Sequence, residues 1–336
     1  MYINRFATVK YTNSIHCSTT YKSLLKKYTN RIHYLCISYC YMKRILYIIL
    51  LLLNSWSAMT QEKKVSLKED IRQWDEKRIA SLKGANGWVN LAGLFWLHPG
   101  ENTFGAASTN DIVYNDTRFP AQLGSFLLND KEVIWKTAAN NEVFNKQQKV
   151  DRLSIFDINT SQSIQLSYGT FRWIIIKRED RIGVRFRDLD HPNLSTFQHI
   201  ERYKPSAKWK LNAKLEPGLY ASIPITNILG QTYQMPSPGK IVFELDGKKY
   251  KLDAVDEGGD ELFILFGDDT NAEYTYESGR FMYIPKPDAN GNTVLDFNKA
   301  FNPPCAFSTF ATCPLPPKQN VLPLAVTAGE KRVHLK

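Results

Sequence analysis

Ile241-Val-Phe-Glu-Leu245-Asp246-Gly247-Lys-Lys249-Tyr-Lys-Leu-Asp-Ala254 decides the fold class of this 336-residue chain. Two runs with apolar residues at alternate positions flank Asp-Gly. That dipeptide readily takes the left-handed backbone of a two-residue hairpin turn. Residues 262–266 then form a short unbroken apolar run, which reads as a buried strand.

The same pattern repeats upstream. Strand-like runs at 112–114, 124–128, 132–136, 153–156 and 163–167 are separated by turn residues, among them Asn129-Asp130. Residues 171–177 and 183–187 read as a hairpin around Glu179-Asp180-Arg181. After the turn at Asp188-Leu-Asp-His-Pro192, strands are expected at 197–203, at 209–215, and within 218–231 on either side of Pro224. Further on, 273–276 and 280–284 are expected to pair across Ser278-Gly279, with a last strand at 293–297. Many short strands with frequent turns predict a mostly β protein. The expected order is a β-sandwich-like region over 85–187, then a second β domain, sandwich or barrel, over 188–336. A proline-rich C-terminal segment closes the second domain.

One helix is expected, in segment 59–84. Ser66-Leu-Lys-Glu69 has capping-box spacing, and Leu67, Ile71, Trp74 and Leu82 fall near one helical face. Gly84 is a natural C-cap, so the helix spans 67–83.

The net charge of +10 suggests nucleic acid until its location is considered. Residues 1–58 hold eight Lys or Arg and no acid. Without those eight, the rest of the 43 basic residues nearly balance the 33 acidic ones. The mature region therefore lacks the basic footprint of a nucleic-acid binder. Met42-Lys-Arg44, the apolar run 45–53 and the small polar end 54–58 have the layout of a cleaved secretory signal, too short for a stable membrane span. Residues 1–41 read as a mis-assigned leader. The expected location is exported, periplasmic or secreted, with a membrane anchor as the alternative.

Polar side chains and prolines concentrate between Asp268 and Lys331. Prolines 303, 304, 314, 316 and 317 fix φ and remove donors, which predicts ordered, non-helical chain. Such segments line a site or wrap a core. As a site, Arg280 would hold a carboxylate or phosphate bidentately, Asp296 and Glu330 would be the acids or bases, and Asn298, Asn302 and Asn320 would orient a polar ligand. As a wrap, Arg280 would pair with Asp296 or Glu330, and the asparagines would satisfy turns. Cys305 and Cys313 allow a disulfide, two buried thiols, or a catalytic or metal-binding role. Export favours the disulfide.

Two resemblances carry these readings further. Residues 97–100, 104–105, 110–114 and 120–128 resemble a forkhead-associated β-sandwich, without that family's phosphate contacts at Arg118-Phe-Pro120. The resemblance implies a sandwich shape and no phosphothreonine site. Asp268, Thr270, Thr275-Tyr276, Gly279-Arg280-Phe281, Asp296-Phe-Asn298, Asn302-Pro-Pro-Cys305-Ala-Phe307, Cys313-Pro-Leu-Pro-Pro317, Asn320 and Ala328-Gly-Glu-Lys331 resemble domain of unknown function 1684, and Trp74, Lys77-Arg78 and Gly87 to Leu97 match its opening, so the resemblance covers nearly the whole mature chain. That family supplies no reaction. Thr270 and Tyr276 join the ligand-binding candidates through it, and Gly267 stands where a basic residue is expected.

No phosphate loop, dinucleotide-binding glycine fingerprint, zinc helix or nucleophile elbow is present, so no cofactor or metal is expected. The expected function is binding, or hydrolysis, of a small polar or anionic ligand. The alternative is an envelope interaction module without chemistry, carried by Trp88, Phe95 and Trp96.

Overall fold

The computed structural model describes residues 41–46 and 65–333. The chain divides into two units, Met1–Val65 and Ser66–Lys336. Residues 41–46 of the first are helical. The rest of the expected signal, residues 47–58, and the stretch 1–40 lie outside the described residues, as does His334. Among the described residues no helix is long and apolar enough to cross a membrane.

The second unit opens with the helix Leu67–Lys83. Its N-cap is Ser66, whose side chain accepts the Glu69 N–H at 3.2 Å. Ile71 and Leu82 are buried on one face. Gly84 does not take the left-handed C-cap conformation expected of it. Its φ is −63°, and its N–H bonds Ser81 O in a tight last turn.

The first β region is a two-sheet sandwich. One sheet runs in the order Leu91–Trp96, Arg181–Asp188, Phe171–Arg178, Leu166–Tyr168, Phe144–Asn145, Gln148–Lys149. The other runs Ile112–Val113, Gly100–Gly105, Gly124–Leu128, Glu132–Thr137, Arg152–Asp157. Alternation sends Phe104, Phe126 and Trp135 of one sheet against Phe171, Trp173 and Phe186 of the other. The outer face of the first sheet is left with Arg178, Arg185 and Arg187, since Arg185 and Arg187 flank the inward Phe186.

The second β region repeats the plan. One sheet runs Lys248–Ala254, Gly239–Leu245, Lys210–Pro217, Asn292–Asp296; the other runs Arg280–Pro285, Glu261–Asp268, Val321–Leu322. Asp246 and Gly247 have φ of 49° and 76°, the left-handed pair the hairpin required. Among the described residues no sheet closes into a barrel. Lys248–Ala254 and Asn292–Asp296 end their sheet without pairing to each other, which leaves the sandwich form. Strand Glu261–Asp268 is buried on both faces. Leu262, Ile264 and Phe266 enter the sandwich core, while Phe263 and Leu265 enter a second cluster with Phe281, Phe301, Ala311 and Cys313.

Three local expectations change. Residues 273–276 form no strand; Arg280–Pro285 pairs instead with Glu261–Asp268. The apolar run 262–266 buries far more surface than the polar 273–276 would. Residues 268–276 instead satisfy themselves, Asn271 accepting Asp268 N at 2.7 Å and donating to Thr275 Oγ1 and Tyr276 O at 2.9 Å. Residues 197–203 form no strand either: Arg202 makes a single bridge to Glu330, and Phe197 and Ile200 pack on Leu82 and Phe307. Pro224 lies inside strand Ser222–Thr226 and does not separate two strands. Among the described residues its sheet has only Thr232–Pro236 as partner, so an open edge accommodates the missing N–H.

Candidate functional site

The residues expected to form a site are buried and bound to the protein itself. Arg280 Nη2 donates to Asp268 Oδ2 at 2.7 Å, with both side chains 0% exposed, and to Val326 O at 2.9 Å; Nη1 donates to Ala328 O. Thr270 sits against the same pair, its hydroxyl 2.9 Å from that of Thr275. Glu330 is also 0% exposed. It accepts Asn302 N at 2.7 Å and faces Arg78 at 3.2 Å and Arg202 at 3.7 Å. Arg280 therefore pairs with neither Asp296 nor Glu330.

Asp296 accepts Asn298 N and Nδ2 at 3.1 and 2.9 Å. Asn298 in turn pairs with both backbone groups of Ser206 at 2.9 and 3.0 Å. Asn302 donates to Lys331 O at 2.8 Å, and Asn320 bridges Asp253 and Leu265 at 2.7–2.9 Å. Tyr276 is half-buried, and burial pushes its phenol pKa up. These residues hold the proline-rich segment to the sandwich and do not converge on a common cavity. Burial pushes the Glu330 carboxyl up against the pull of Arg78 and Arg202.

A cavity of about 330 Å³ lies elsewhere, over the outer face of the first sandwich. Arg178 and Arg185 come from that face, Arg78 from the helix, and Trp88 from the segment before the first strand. Phe263, Phe281, Tyr283, Phe301 and Thr312 come from the second β region. The cavity forms because the outward positions of strand Arg181–Asp188 are covered by the proline-rich segment.

Its electrostatics are lopsided. Arg185 lies over the Trp88 ring, 5.2 Å from the centroid, and its buried Nε has no hydrogen-bond partner. Burial, then Arg178 and Arg187, lower its pKa to about 10. Arg178 donates to Thr312 Oγ1 at 3.1 Å and to Lys177 O at 2.9 Å. Neither arginine has a carboxylate within ion-pair distance among the described residues. Arg78, by contrast, is matched by Glu330 and lies 4.6 Å over Phe301. A buried cation without a counter-charge is costly, and an incoming oxyanion would relieve it.

Cys305 and Cys313 are joined, with Cα atoms 6.1 Å apart, so Cys313 presents no thiolate to the cavity it lines. Among the described residues no group of three His, Cys, Asp or Glu could hold a metal ion. A wider groove of about 690 Å³ borders residues 196–201 and 273–274. Its cations are already occupied: Lys331 faces Glu201 at 3.7 Å and Arg332 faces Glu277 at 3.6 Å. Arg118 is held by Asp116 and Asp188 at 2.6 Å.

The sequence reading missed Arg78, Trp88, Arg178, Arg185, Glu257 and Tyr283 as site residues. The available signal was Arg181-Ile-Gly-Val-Arg185-Phe-Arg187, with arginines at 181, 185 and 187 on one alternating face and apolar residues on the other.

The class these features define is a β protein of two sandwiches with an arginine-lined cleft. Residues 195–331 match the family model described as protein of unknown function (DUF1684). The match is shorter than the resemblance over nearly the whole mature chain: it takes in the aromatic wall and leaves Arg78, Trp88, Arg178 and Arg185 outside. An uncharacterized protein of Haloarcula marismortui, solved in solution by NMR, is 28% identical. That comparison covers 42% of this chain and 80% of the other, with a TM-score of 0.36. No curated protein matches.

Proposed function

We propose that this protein binds a small organic anion in the cleft between its two β regions, and that Arg178 and Arg185 receive the anionic group. The observation that carries this reading is Arg185: largely buried, lacking an acid, and directed with Arg178 into a cavity of ligand size. Thr312 orients Arg178, and the aromatic wall accommodates the rest of the ligand. In this reading the protein is exported, and the Cys305–Cys313 bond accords with an oxidising compartment. The alternative is the envelope module, whose aromatics are partly exposed and also engaged within the protein. Trp88 underlies Arg185, Phe95 packs on Phe104 and Phe186, and Trp96 lies under Arg181.

The test is thermal unfolding with increasing phosphate or benzoate, using the wild type and Arg185→Met. Either anion is expected to raise the wild-type Tm. Arg185→Met is expected to melt higher than wild type without anion and to lose the response. Equal responses in the two proteins would remove Arg185 from the site.

A further inference from the structure

The cavity holds one further group without a charge partner, an acid. Glu257 lines the rim, on the turn Asp256-Glu257-Gly258-Gly259-Asp260. Its Oε2 accepts the Tyr283 hydroxyl at 3.0 Å, and no cation pairs with it among the described residues. A single cavity of about 330 Å³ thus has two arginines without an acid and, on its exposed rim, a carboxylate without a cation among the described residues. Opposite charges separated in this way form complementary ends for a molecule carrying both signs.

The wall between the two ends is aromatic. Tyr283 stacks on Phe301, centroids 5.9 Å apart and planes 17° apart, and the Arg78 guanidinium lies 4.6 Å from the Phe301 centroid. Phe263 meets Phe281 edge-on at 5.0 Å, and Trp88 supports Arg185. Pro304 and Pro314 supply rigid apolar surface, and neither Leu, Ile nor Val lines the cavity. Rings arranged in offset stacks and edges favour a flat partner, because the ring quadrupoles align with another π-face.

We infer that the ligand is a planar, amphoteric molecule. Its carboxylate or phosphate end meets Arg178 and Arg185, an aromatic or conjugated body lies along Phe301, Tyr283 and Phe281, and an amino or other strongly donating group meets Glu257. This deepens the proposed anion site and rests on it. Glu257 is the specificity residue. Tyr283 positions it, since burial and Glu257 itself push the phenol up and keep the hydroxyl a donor.

The experiment is isothermal titration of the mature protein with four probes: inorganic phosphate, benzoate, cyclohexanecarboxylate and 4-(aminomethyl)benzoate. Wild type is expected to bind 4-(aminomethyl)benzoate about tenfold tighter than benzoate, the size of one charge-assisted contact. Benzoate is expected to bind severalfold tighter than cyclohexanecarboxylate. Glu257→Gln should abolish the preference for the amine and bind benzoate more tightly, since a carboxylate that repels the anion is gone. Equal affinity of wild type for benzoate and 4-(aminomethyl)benzoate, or a preference that survives Glu257→Gln, would overturn the amphoteric assignment and leave the anion site standing. Equal binding of the flat and puckered carboxylates would overturn the planar one. If neither phosphate nor any carboxylate bound the wild type, the anion site and the ligand class would fall together.

Discussion

Arg280 donates to Asp268 across 2.7 Å with both side chains sealed from solvent, and its remaining donors hold the backbone at Val326 and Ala328. This pair links the strand Arg280–Pro285 to the C-terminal segment through two kinds of contact at once. Arg280→Ala would leave Asp268 charged and buried beside unpaired carbonyls. The expected loss is about 3–5 kcal/mol of unfolding free energy, measured by urea denaturation. Anion binding per folded molecule should persist, because Arg280 does not reach the cleft. A stable Arg280→Ala protein that no longer bound phosphate or benzoate would reverse the two roles.

Glu330 gives a pH signature. Burial raises its native pKa above the ordinary 4.5. The native state then holds the proton more tightly than the unfolded state, so this group's contribution to stability is full below pH 4.5 and is lost as pH rises through the native value. The stability difference between wild type and Glu330→Gln should therefore decline as pH rises above 4.5. Urea midpoints of both proteins across a pH series would show it. A difference that grew with pH would mean that Arg78 and Arg202 outweigh burial.

The Cys305–Cys313 bond closes the short loop that carries Thr312. By loop-closure entropy, replacing both cysteines with serine should cost about 2–3 kcal/mol. The same variant should bind benzoate more weakly, because Thr312 would no longer hold Arg178 in place. Paired unfolding and titration experiments separate the effects. Unchanged affinity at reduced stability would show that the loop is a staple alone.

Gly279 has φ of 91°, and a Cβ there would lie 2.6 Å from both Phe266 O and the Pro316 ring. Gly279→Ala should lose about 1–3 kcal/mol from backbone strain alone, with the steric contact adding to it. Gly247 has similar φ but open space around it, so Gly247→Ala should lose only the strain part. Equal melting temperatures for the two variants would argue against close packing at Gly279.

Local chemistry was legible in the sequence because its causes are local. Ser66 and Glu69 announced the helix start, Asp246-Gly247 the hairpin, and alternation in 171–177 and 183–187 the sandwich strands. Burial of residues 262–266 followed from an apolar run with no polar face. What failed was partner choice. Arg280–Pro285 had two candidate neighbours, and the one burying more apolar surface prevailed over the nearer one.

By itself the sequence determined a mostly β chain and a proline-rich segment dense in polar groups. It left open whether those groups formed a site or a wrap, since hydrogen-bond partners such as Asp268 for Arg280, or Ser206 for Asn298, depend on long-range register. Tertiary structure decided that these donors and acceptors are used within the protein. It also decided that Arg178 and Arg185 line a cavity without a carboxylate within ion-pair distance among the described residues, with Glu257 on its exposed rim. The physical reason is that burial creates the demand for a counter-charge. The outward Arg185 of strand Arg181–Asp188 would be an ordinary solvated side chain without the proline-rich segment folded over it.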